Sequence, residues 1–540
     1  MLHYLHEQKP QACCCGDAAR PSYTAVTAPE SGRLSSLRDA LFITAATYVT
    51  TVMGLVVSTI IARSLGPEDY GKYSYLIWMA GLLVVFCNHG LGISGIRFVS
   101  EYMGRGQPQL ARQIHGWLNK WQQLSTLLIL IAFTIASWWI PMAGWELQRT
   151  LLLAILIIGV ASKAAYLFDV SIAKGYKKFS IEALTNTVMS LVYAAGVGLL
   201  ALAHAKLNDY AIFFGVVSFM HICMVWWLMR KNSIKPDYTP CPAELTQHIR
   251  PHIAWTVVLV AVATLSNKTI ETFLLGTQIG PKEVGYFTIA TMLTRGGIDL
   301  LSSSLTAMLM PIMAHAYGAG GSEKVNIILG DSIRYFLFFG LIIGGAGLIW
   351  SEPGIAILYG SQYQAVIPVL QVMVVVGGLT LPEGAFGALM STTDNQKLRA
   401  GIASLSVVIS AMAAFALVPK FGLTGALISH ASTRIVIFLI TAIWIKKSLN
   451  VTFPISHITR LCLAATIAGL ASWLLMPSHP SVMTQIGVGF AYILILLGGT
   501  IVLKAWKTKD ADMALILAAK KPKLFGAITP WLTRWSQSLS

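Results

Sequence analysis

Fourteen long apolar segments, separated by short polar loops, occupy this chain between about Asp39 and Lys504. A bilayer hydrocarbon core about 30 Å thick requires roughly 20 apolar residues per helix. The composition agrees, because 55% of the 540 residues are hydrophobic and only 11% are charged, whereas soluble domains carry about 25% charged residues. The sequence therefore predicts an all-α, polytopic membrane protein with about 14 transmembrane helices.

The spans are predicted as helices because backbone groups in lipid must form hydrogen bonds within their own segment. Their predicted ranges are 39–62, 73–97, 117–140, 150–171, 181–204, 209–229, 253–275, 284–310, 331–350, 364–390, 399–418, 422–445, 458–476 and 482–504.

Basic residues are distributed unevenly between the two sides of these spans. If the N-terminus is cytoplasmic, 29 of the 39 Lys and Arg residues fall inside, six outside and four within spans. This bias is the positive-inside rule, and it predicts that both termini are cytoplasmic. The net charge of +16 then reflects topology and attraction to anionic lipids, so no nucleic-acid partner is predicted.

A short motif occurs twice in the chain. Residues 66–74 and 280–288 both fit G-P-[EK]-[DE]-x-G-x-[YF]-[ST], at an offset of 214 residues, and the same offset carries Gly104 onto Gly318. Because the offset contains six helices, an even number, the two repeats are predicted to run parallel, related by an axis along the membrane normal. This arrangement predicts two six-helix lobes that are pseudo-symmetric, followed by two C-terminal helices.

The predicted organisation has six parts. They are a disordered cytoplasmic tail (1–38), an N-lobe with helices 1–6 (39–229), a cytoplasmic inter-lobe linker (230–252), a C-lobe with helices 7–12 (253–445), helices 13–14 (446–504) and a basic amphipathic cytoplasmic tail (505–540).

Several strings, in order along the chain, resemble a known family. Residues 61–71 (I-A-R-S-L-G-P-E-D-Y-G) are similar to the opening signature of polysaccharide-type flippases of the multidrug/oligosaccharidyl-lipid/polysaccharide exporter superfamily. Supporting stretches are Gly90-Leu91-Gly92 and residues 358–360 and 421–426. The resemblance implies two lobes around a central cavity, in a multi-pass protein of the bacterial inner membrane.

The function implied by this resemblance is that of a flippase. It would move lipid-linked (undecaprenyl-pyrophosphate) oligosaccharide repeat units across the membrane by alternating access, for exopolysaccharide, capsule or O-antigen biosynthesis. The expected partners are the lipid-linked substrate, membrane lipids, and polysaccharide polymerase and chain-length or export proteins. No Walker A motif, His/Cys metal cluster or hydrolase motif is found, so no cofactor, metal or enzymatic activity is predicted.

Ionisable residues inside predicted spans need a reason, because each costs at least about 2.5–3.5 kcal/mol on insertion. Lys268 and Glu271 are spaced i, i+3, and Arg295 and Asp299 are spaced i, i+4, so each pair shares a helix face and could form an ion pair. Either the pairs line a cavity that binds an anionic headgroup or couples to an ion, or they neutralise each other so that the helices can pack.

Arg434 has no acidic neighbour on its own helix. With Arg295, it is the preferred candidate for binding a pyrophosphate, since a guanidinium bonds two phosphate oxygens at once. The alternative is an interhelical carboxylate, from Glu383 or Asp299. Three further basic candidates lie nearer to the span ends, where snorkelling or anchoring is the competing explanation; they are Lys163, Arg63 and Arg97.

Glu383 lies between Pro382 and Gly384 in the tenth span, which predicts either a broken helix that exposes a carboxylate or a simple proline kink. Glu271, Asp299 and Glu383 are the candidate ion-coupling residues. Two other functions remain open. A multidrug or cation antiporter would favour acidic cavity groups, and a membrane glycosyltransferase or polymerase would need larger outer loops than these.

Overall fold

The computed structural model describes residues 30–266, 269–393, 395–448, 451–520 and 529–539, a region that contains helices and loops but no strand. The α-helices are α1 Glu30–Asn88, α2 Leu91–Gly104, α3 Pro108–Ala136, α4 Arg149–Gly175, α5 Ser180–Leu202, α6 Leu207–Lys231, α7 Ala243–Leu265, α8 Thr269–Leu274, α9 Pro281–Thr294, α10 Leu300–Leu358, α11 Val366–Leu379, α12 Glu383–Thr392, α13 Gln396–Ser448, α14 Ile455–Leu475, α15 Val482–Val502, α16 Thr508–Lys520 and α17 Thr529–Leu539. Two short 3₁₀ turns are Glu146–Gln148 and Ser361–Tyr363, and two π-helical turns are Leu275–Ile279 and Arg295–Asp299.

Ten helices in the described part of the chain are long and apolar enough to cross a membrane, and the bent pair α11–α12 makes an eleventh. Large apolar side chains are exposed on their outer surfaces, such as Leu202 at 80% and Trp473 at 75%. Large apolar surfaces of this kind are stable in contact with lipid, whereas their exposure to water would be unfavourable. The all-α, polytopic membrane class is therefore confirmed.

Three helices are long enough to hold two spans each, and each contains a glycine that breaks it. These glycines are Gly66 in α1 (φ 75°), Gly321 in α10 (φ 62°) and Gly422 in α13 (φ 54°). A positive φ is unfavourable for other residues, so glycine is needed at these helix breaks. With the 29-residue α3, these helices have room for the fourteen predicted spans.

The helix boundaries differ from the predicted spans in several places, including the first two spans. Helix α1 is described from Glu30 onward, so residues 30–38 of the segment predicted to be a disordered tail are helical. Residues 1–29 lie outside the described residues. The second span is divided at His89 and Gly90, which both have positive φ, so that α2 continues where α1 ends.

The helices pack as two bundles in sequence order. In the first, α1 packs against α4 and α5, and α4 packs against α6 and α2. In the second, α10 packs against α11 and α12, and α13 packs against α8 and α12. The bundles meet where α1 contacts α9 and where α2 contacts α7. This packing is compatible with the predicted lobes, whose residue boundaries stay a prediction.

The C-terminal helices α14 and α15 pack together against α10. Beyond them, α16 is held by a fully buried guanidinium of α10: Arg334 lies 2.7 Å from Asp510 and 2.8 Å from Asp331. Burial raises the pKa of the Asp510 carboxyl, but hydrogen bonds from Arg334, Tyr335 and the Lys507 backbone outweigh burial and hold that pKa below its usual range. The first helix of the tail is therefore anchored to the bundle through charge.

Candidate functional site

A cavity of about 1050 Å³ lies between the two bundles. It is lined by α1, α5 and α6 of the first bundle and by α7, α8, α9, α10, α12 and α13 of the second, together with the π-helical turn Arg295–Asp299 and Thr380, which follows α11. Pockets of this size commonly hold small-molecule ligands, so this cavity is the candidate site.

The two sides of the cavity differ in chemistry. Among its described lining residues, the first bundle contributes aromatic rings, hydroxyls and aliphatic groups but no Lys, Arg, His, Asp or Glu. We call its polar and aromatic members the aromatic wall, which consists of Ser58, Tyr70, Tyr73, Ser74, Trp78, Tyr193 and Phe214. The second bundle contributes the ionisable groups, which we call the charged wall: Glu271, Arg295, Asp299, Glu383, Arg399, His430 and Arg434.

Arg434 lies on the charged wall and already has partners. Its Nε donates a hydrogen bond of 2.9 Å to Thr380 Oγ1, and its Nη2 lies 3.5 Å from Asp299 Oδ1. The carboxylate that the sequence left open between two residues is therefore Asp299. The hydrogen bond to Thr380 links α13 to the end of α11, and the ion pair with Asp299 links α13 to the π-helical turn before α10.

Arg295 differs from Arg434 because no described residue forms an ion pair or a hydrogen bond with its guanidinium, and its side chain is exposed to the cavity. The ion pair with Asp299 that the i, i+4 spacing allowed is not formed, for a local reason. Residues Arg295–Asp299 form a π-helical turn, whose i→i+5 bonding changes the usual i, i+4 alignment. Asp299 faces Arg434 instead, and this leaves a guanidinium available on the charged wall.

Arg399 is a lining residue whose sequence neighbours give no indication of a role in a site. Its Nη1 donates a hydrogen bond of 3.1 Å to Ser391 Oγ, which links α13 to α12 at one end of the cavity. From the sequence it looks like one of the basic residues at a span end, and only the helix packing turns it toward the cavity.

All three candidate ion-coupling carboxylates lie on this wall, and Glu271 and Glu383 have different surroundings. Glu271 is 1% exposed, and its Oε1 accepts hydrogen bonds from Ser410 Oγ (3.0 Å) and Ser429 Oγ (3.1 Å). Glu383 begins α12, just after a 42° bend between α11 and α12. The broken helix is therefore present, and its carboxylate lines the cavity.

The other basic candidates that the structure describes, Lys163, Arg97 and Arg63, do not line the cavity. Lys163 lies 4.8 Å from the centre of the Tyr166 ring, within the first bundle. Arg97 donates a hydrogen bond of 2.9 Å to His252 Nδ1, where α2 contacts α7. Arg63 donates to the backbone oxygens of Leu358 (2.8 Å) and Ile357 at the end of α10. Lys268 lies outside the described residues.

The duplicated motifs contact each other at one end of the cavity. A Cβ placed on Gly71 would lie 1.7 Å from the Pro281 carbonyl oxygen, and one on Gly285 would lie 3.1 Å from Gly71 Cα and from Pro67 O. Gly71 and Gly285 are equivalent positions of the two repeats. The motifs therefore approach so closely that only glycine fits at Gly71. We call this end of the cavity the motif face.

Tyrosine side chains add to the closure of the motif face. The rings of Tyr70, Tyr286 and Tyr359 each pack edge-on against Tyr363, with centroids 5.8–6.2 Å apart. Tyr363 also donates a hydrogen bond of 2.6 Å to the Ala62 carbonyl. These contacts join the first bundle to the second beside the cavity.

With this geometry established, the chain can be compared with known proteins. The profile of a family described as "Polysaccharide biosynthesis protein" matches residues 36–317, which is more than half of the chain. The chain belongs to this family. The family assignment agrees with the resemblance that the motifs indicated.

The family member described here is similar to Stage V sporulation protein B of Bacillus subtilis (strain 168), with 21% identity over 471 residues that cover 81% of this chain and 88% of that protein. Its fold is similar to the lipid II flippase MurJ in an inward closed conformation, with a TM-score of 0.70, 16% identity, and coverage of 86% of this chain and 99% of the other.

A further similar fold is an inward-facing multidrug resistance transporter of the MATE family in the MOP superfamily, with a TM-score of 0.57, 17% identity, and coverage of 74% and 94%. The two solved structures are described as a flippase and a transporter, and the similarity shows that this family member shares their fold.

Proposed function

We propose that this protein is a flippase for lipid-linked oligosaccharides, and that Arg295 binds the substrate headgroup. The observation that carries the proposal is an available guanidinium on one wall of a 1050 Å³ cavity between two bundles. A charge left without a protein partner inside a membrane is costly, and an anionic ligand would neutralise it. A pyrophosphate linked to undecaprenol is the anion that fits the polysaccharide family.

The headgroup contacts follow from the placement of the basic residues. Arg295 is the primary phosphate ligand, and Arg399 lies at one end of the cavity where an arriving headgroup would meet it. Arg434 becomes available only if the headgroup displaces Asp299, whose Oδ1 is 3.5 Å away. Arg63, Arg97 and Lys163 have contacts elsewhere and take no part in binding in this arrangement.

Transport by alternating access requires the cavity to close on one side at a time. The excess of basic residues on the predicted cytoplasmic side supports the proposal that the motif face lies on the outside. The contact between Gly71 and Pro281 then holds the outer side closed, and the headgroup would enter from the cytoplasmic leaflet. Rocking of the bundles would open the motif face and release the glycan outside, while the lipid tail stays in the bilayer.

Glu271, Asp299 and Glu383 are proposed to take part in coupling this cycle to a cation gradient or to the membrane potential. The protein would act in the bacterial inner membrane with both termini in the cytoplasm. It would supply repeat units for exopolysaccharide, capsule or O-antigen, and a polysaccharide polymerase with chain-length or export proteins would use them.

A second candidate function is a cation or drug antiporter. The observation in its favour is the presence of carboxylates on the charged wall, of which Glu271 is deeply buried and Glu383 lines the cavity. A cationic drug would bind these groups and would be repelled by Arg295, so the two functions predict opposite effects when Arg295 is neutralised.

The proposal is tested by flipping of a fluorescent polyprenyl-diphosphate-linked saccharide in proteoliposomes. A charge-assisted hydrogen bond contributes about 1.5–3 kcal/mol, so Arg295→Ala should reduce transport roughly 10- to 150-fold, and Arg295→Lys should retain part of it. The matched control is Arg105→Ala, whose side chain is 56% exposed and pairs with Glu101 outside the cavity. Normal transport by Arg295→Ala would reject the headgroup assignment, and faster export of a cationic dye by this variant would favour the antiporter.

A further inference from the structure

The aromatic wall has no role in binding a phosphate. Its described members carry no cation, and a phosphate would bind the charged wall on the opposite side. Ser58 and Ser74 supply hydroxyls at 8% and 5% exposure, and the Ser58 hydroxyl is hydrogen-bonded to the hydroxyls of Tyr70 (2.7 Å) and Tyr359 (3.3 Å). An uncharged wall of rings and hydroxyls that faces a charged wall indicates a ligand with two chemically different parts.

Trp78 is one of the rings of this wall. Its indole stacks on Tyr75, with ring centroids 5.2 Å apart and 27° between the planes, and lies 6.4 Å from the Phe273 ring. Tyr75 cannot move away, since it is 1% exposed and packs against Gly276, where a Cβ would lie 2.2 Å from the Tyr75 ring. Tyr75 therefore holds the Trp78 ring in place. The indole N–H of Trp78 donates to no described residue, so it remains available for a ligand.

A second ring is held in a similar way. Tyr193 stacks on Phe213, with centroids 5.6 Å apart and 10° between the planes. Phe213 packs against Gly196, where a Cβ would lie 2.0 Å from the ring. The hydroxyls of Tyr193 and Tyr73 form a hydrogen bond with each other, which fixes the Tyr193 ring at the edge of the cavity.

This combination matches the surface of a sugar. A pyranose ring has apolar C–H faces and a rim of hydroxyls. Aromatic faces carry negative charge density and attract C–H groups, while Trp N–H, Tyr and Ser groups exchange hydrogen bonds with hydroxyls. Because both rings are already held by their neighbours, binding would cost little side-chain entropy.

We propose that the aromatic wall is the glycan-binding surface of the transporter, with Trp78 as its stacking platform. The inference rests on the proposed function, since it assigns the sugar and the pyrophosphate of one substrate to opposite walls. The sugar lies against Ser58, Ser74, Trp78 and Tyr193, while the pyrophosphate lies against Arg295. Trp78 therefore contributes to the preference for glycosylated over bare lipid.

The experiment compares two lipid probes that differ only in the sugar. Purified full-length protein is mixed with equal amounts of a polyprenyl diphosphate and of the same lipid bearing an N-acetylhexosamine trisaccharide, and native mass spectrometry measures both bound populations. The parent protein should bind the glycosylated lipid about three- to tenfold better, the range expected for aromatic stacking. Trp78→Leu should lose most of this preference, and Trp78→Phe, which keeps a ring, should retain part of it.

Two controls separate this inference from the proposed function. Trp138→Leu makes the same change at a tryptophan that is 67% exposed and does not line the cavity, and it should leave the preference unchanged. Arg295→Ala should weaken binding of both lipids by the same factor. Equal binding of the two lipids by the parent, or an unchanged preference in Trp78→Leu, would overturn the glycan assignment while leaving the headgroup assignment intact. Binding of neither lipid by the parent would reject the proposed function itself.

Discussion

The close contact of the duplicated motifs makes Gly71→Ala the most informative single substitution. The added Cβ would lie 1.7 Å from the Pro281 carbonyl oxygen and 2.3 Å from its carbon. Ordinary C···O contacts begin near 3.3 Å, so the two backbones must separate by roughly 1.5 Å. Neither partner is a flexible side chain, and the overlap can be relieved only by moving one bundle relative to the other.

Overpacking of this kind costs about 1–3 kcal/mol. If the motif face is the closed outer gate, opening the gate removes this cost, and the equilibrium shifts toward the outward-open state by roughly 5- to 150-fold. The substitution should therefore act on conformation more than on folding. Gly285→Ala should produce the same change more weakly, because its Cβ would meet Gly71 Cα and Pro67 O at 3.1 Å.

The assay is modification of Ser74→Cys, in a background without the seven native cysteines, by a membrane-impermeant maleimide added from outside. Ser74 lines the cavity and is 5% exposed in the closed state. The labelling rate should rise with Gly71→Ala. Gly81→Ala is the matched control on the same helix, because no atom lies within 4 Å of its Cβ. A folded Gly71→Ala variant that labels at the parental rate would refute the gate.

Two further predictions concern the carboxylates. Glu271→Gln should preserve folding, because the amide oxygen can still accept hydrogen bonds from Ser410 and Ser429. The same substitution should abolish the response of transport to an imposed cation gradient, and an intact response would exclude Glu271 from coupling. The pKa of Asp510 is held below its usual range, so its ion pair with Arg334 stabilises the docked α16 above the ordinary pKa and is lost as pH falls through the lowered one. Hydrogen exchange in Thr508–Lys520 should therefore increase at strongly acidic pH. At neutral pH it should increase in Asp510→Asn but not in the control Lys509→Gln, because the Lys509 side chain is 71% exposed. Protection that persists in Asp510→Asn would mean that apolar contacts hold this helix.

The relation between sequence and site differs from residue to residue. The broken helix at Glu383 follows from Pro382 and Gly384, because backbone preferences are local. The sequence limits the partner of Arg434 to Glu383 or Asp299 but does not distinguish between them, because the outcome depends on the direction in which the π-helical turn points Asp299. Arg399 and Trp78 were not selected, because nothing in their neighbouring residues indicates that they face a cavity.

The sequence by itself determined the membrane-spanning helices, the duplicated motif and the chemical types of the intramembrane charges. It could do so because lipid forces each span to satisfy its own backbone hydrogen bonds, which makes hydropathy a local signal. Only the tertiary structure decided which groups meet. It placed Gly71 against Pro281, turned Arg63 and Arg97 away from the cavity, and assembled one uncharged and one charged wall. Those contacts join residues that are far apart in the chain, so helix orientation and packing determine them.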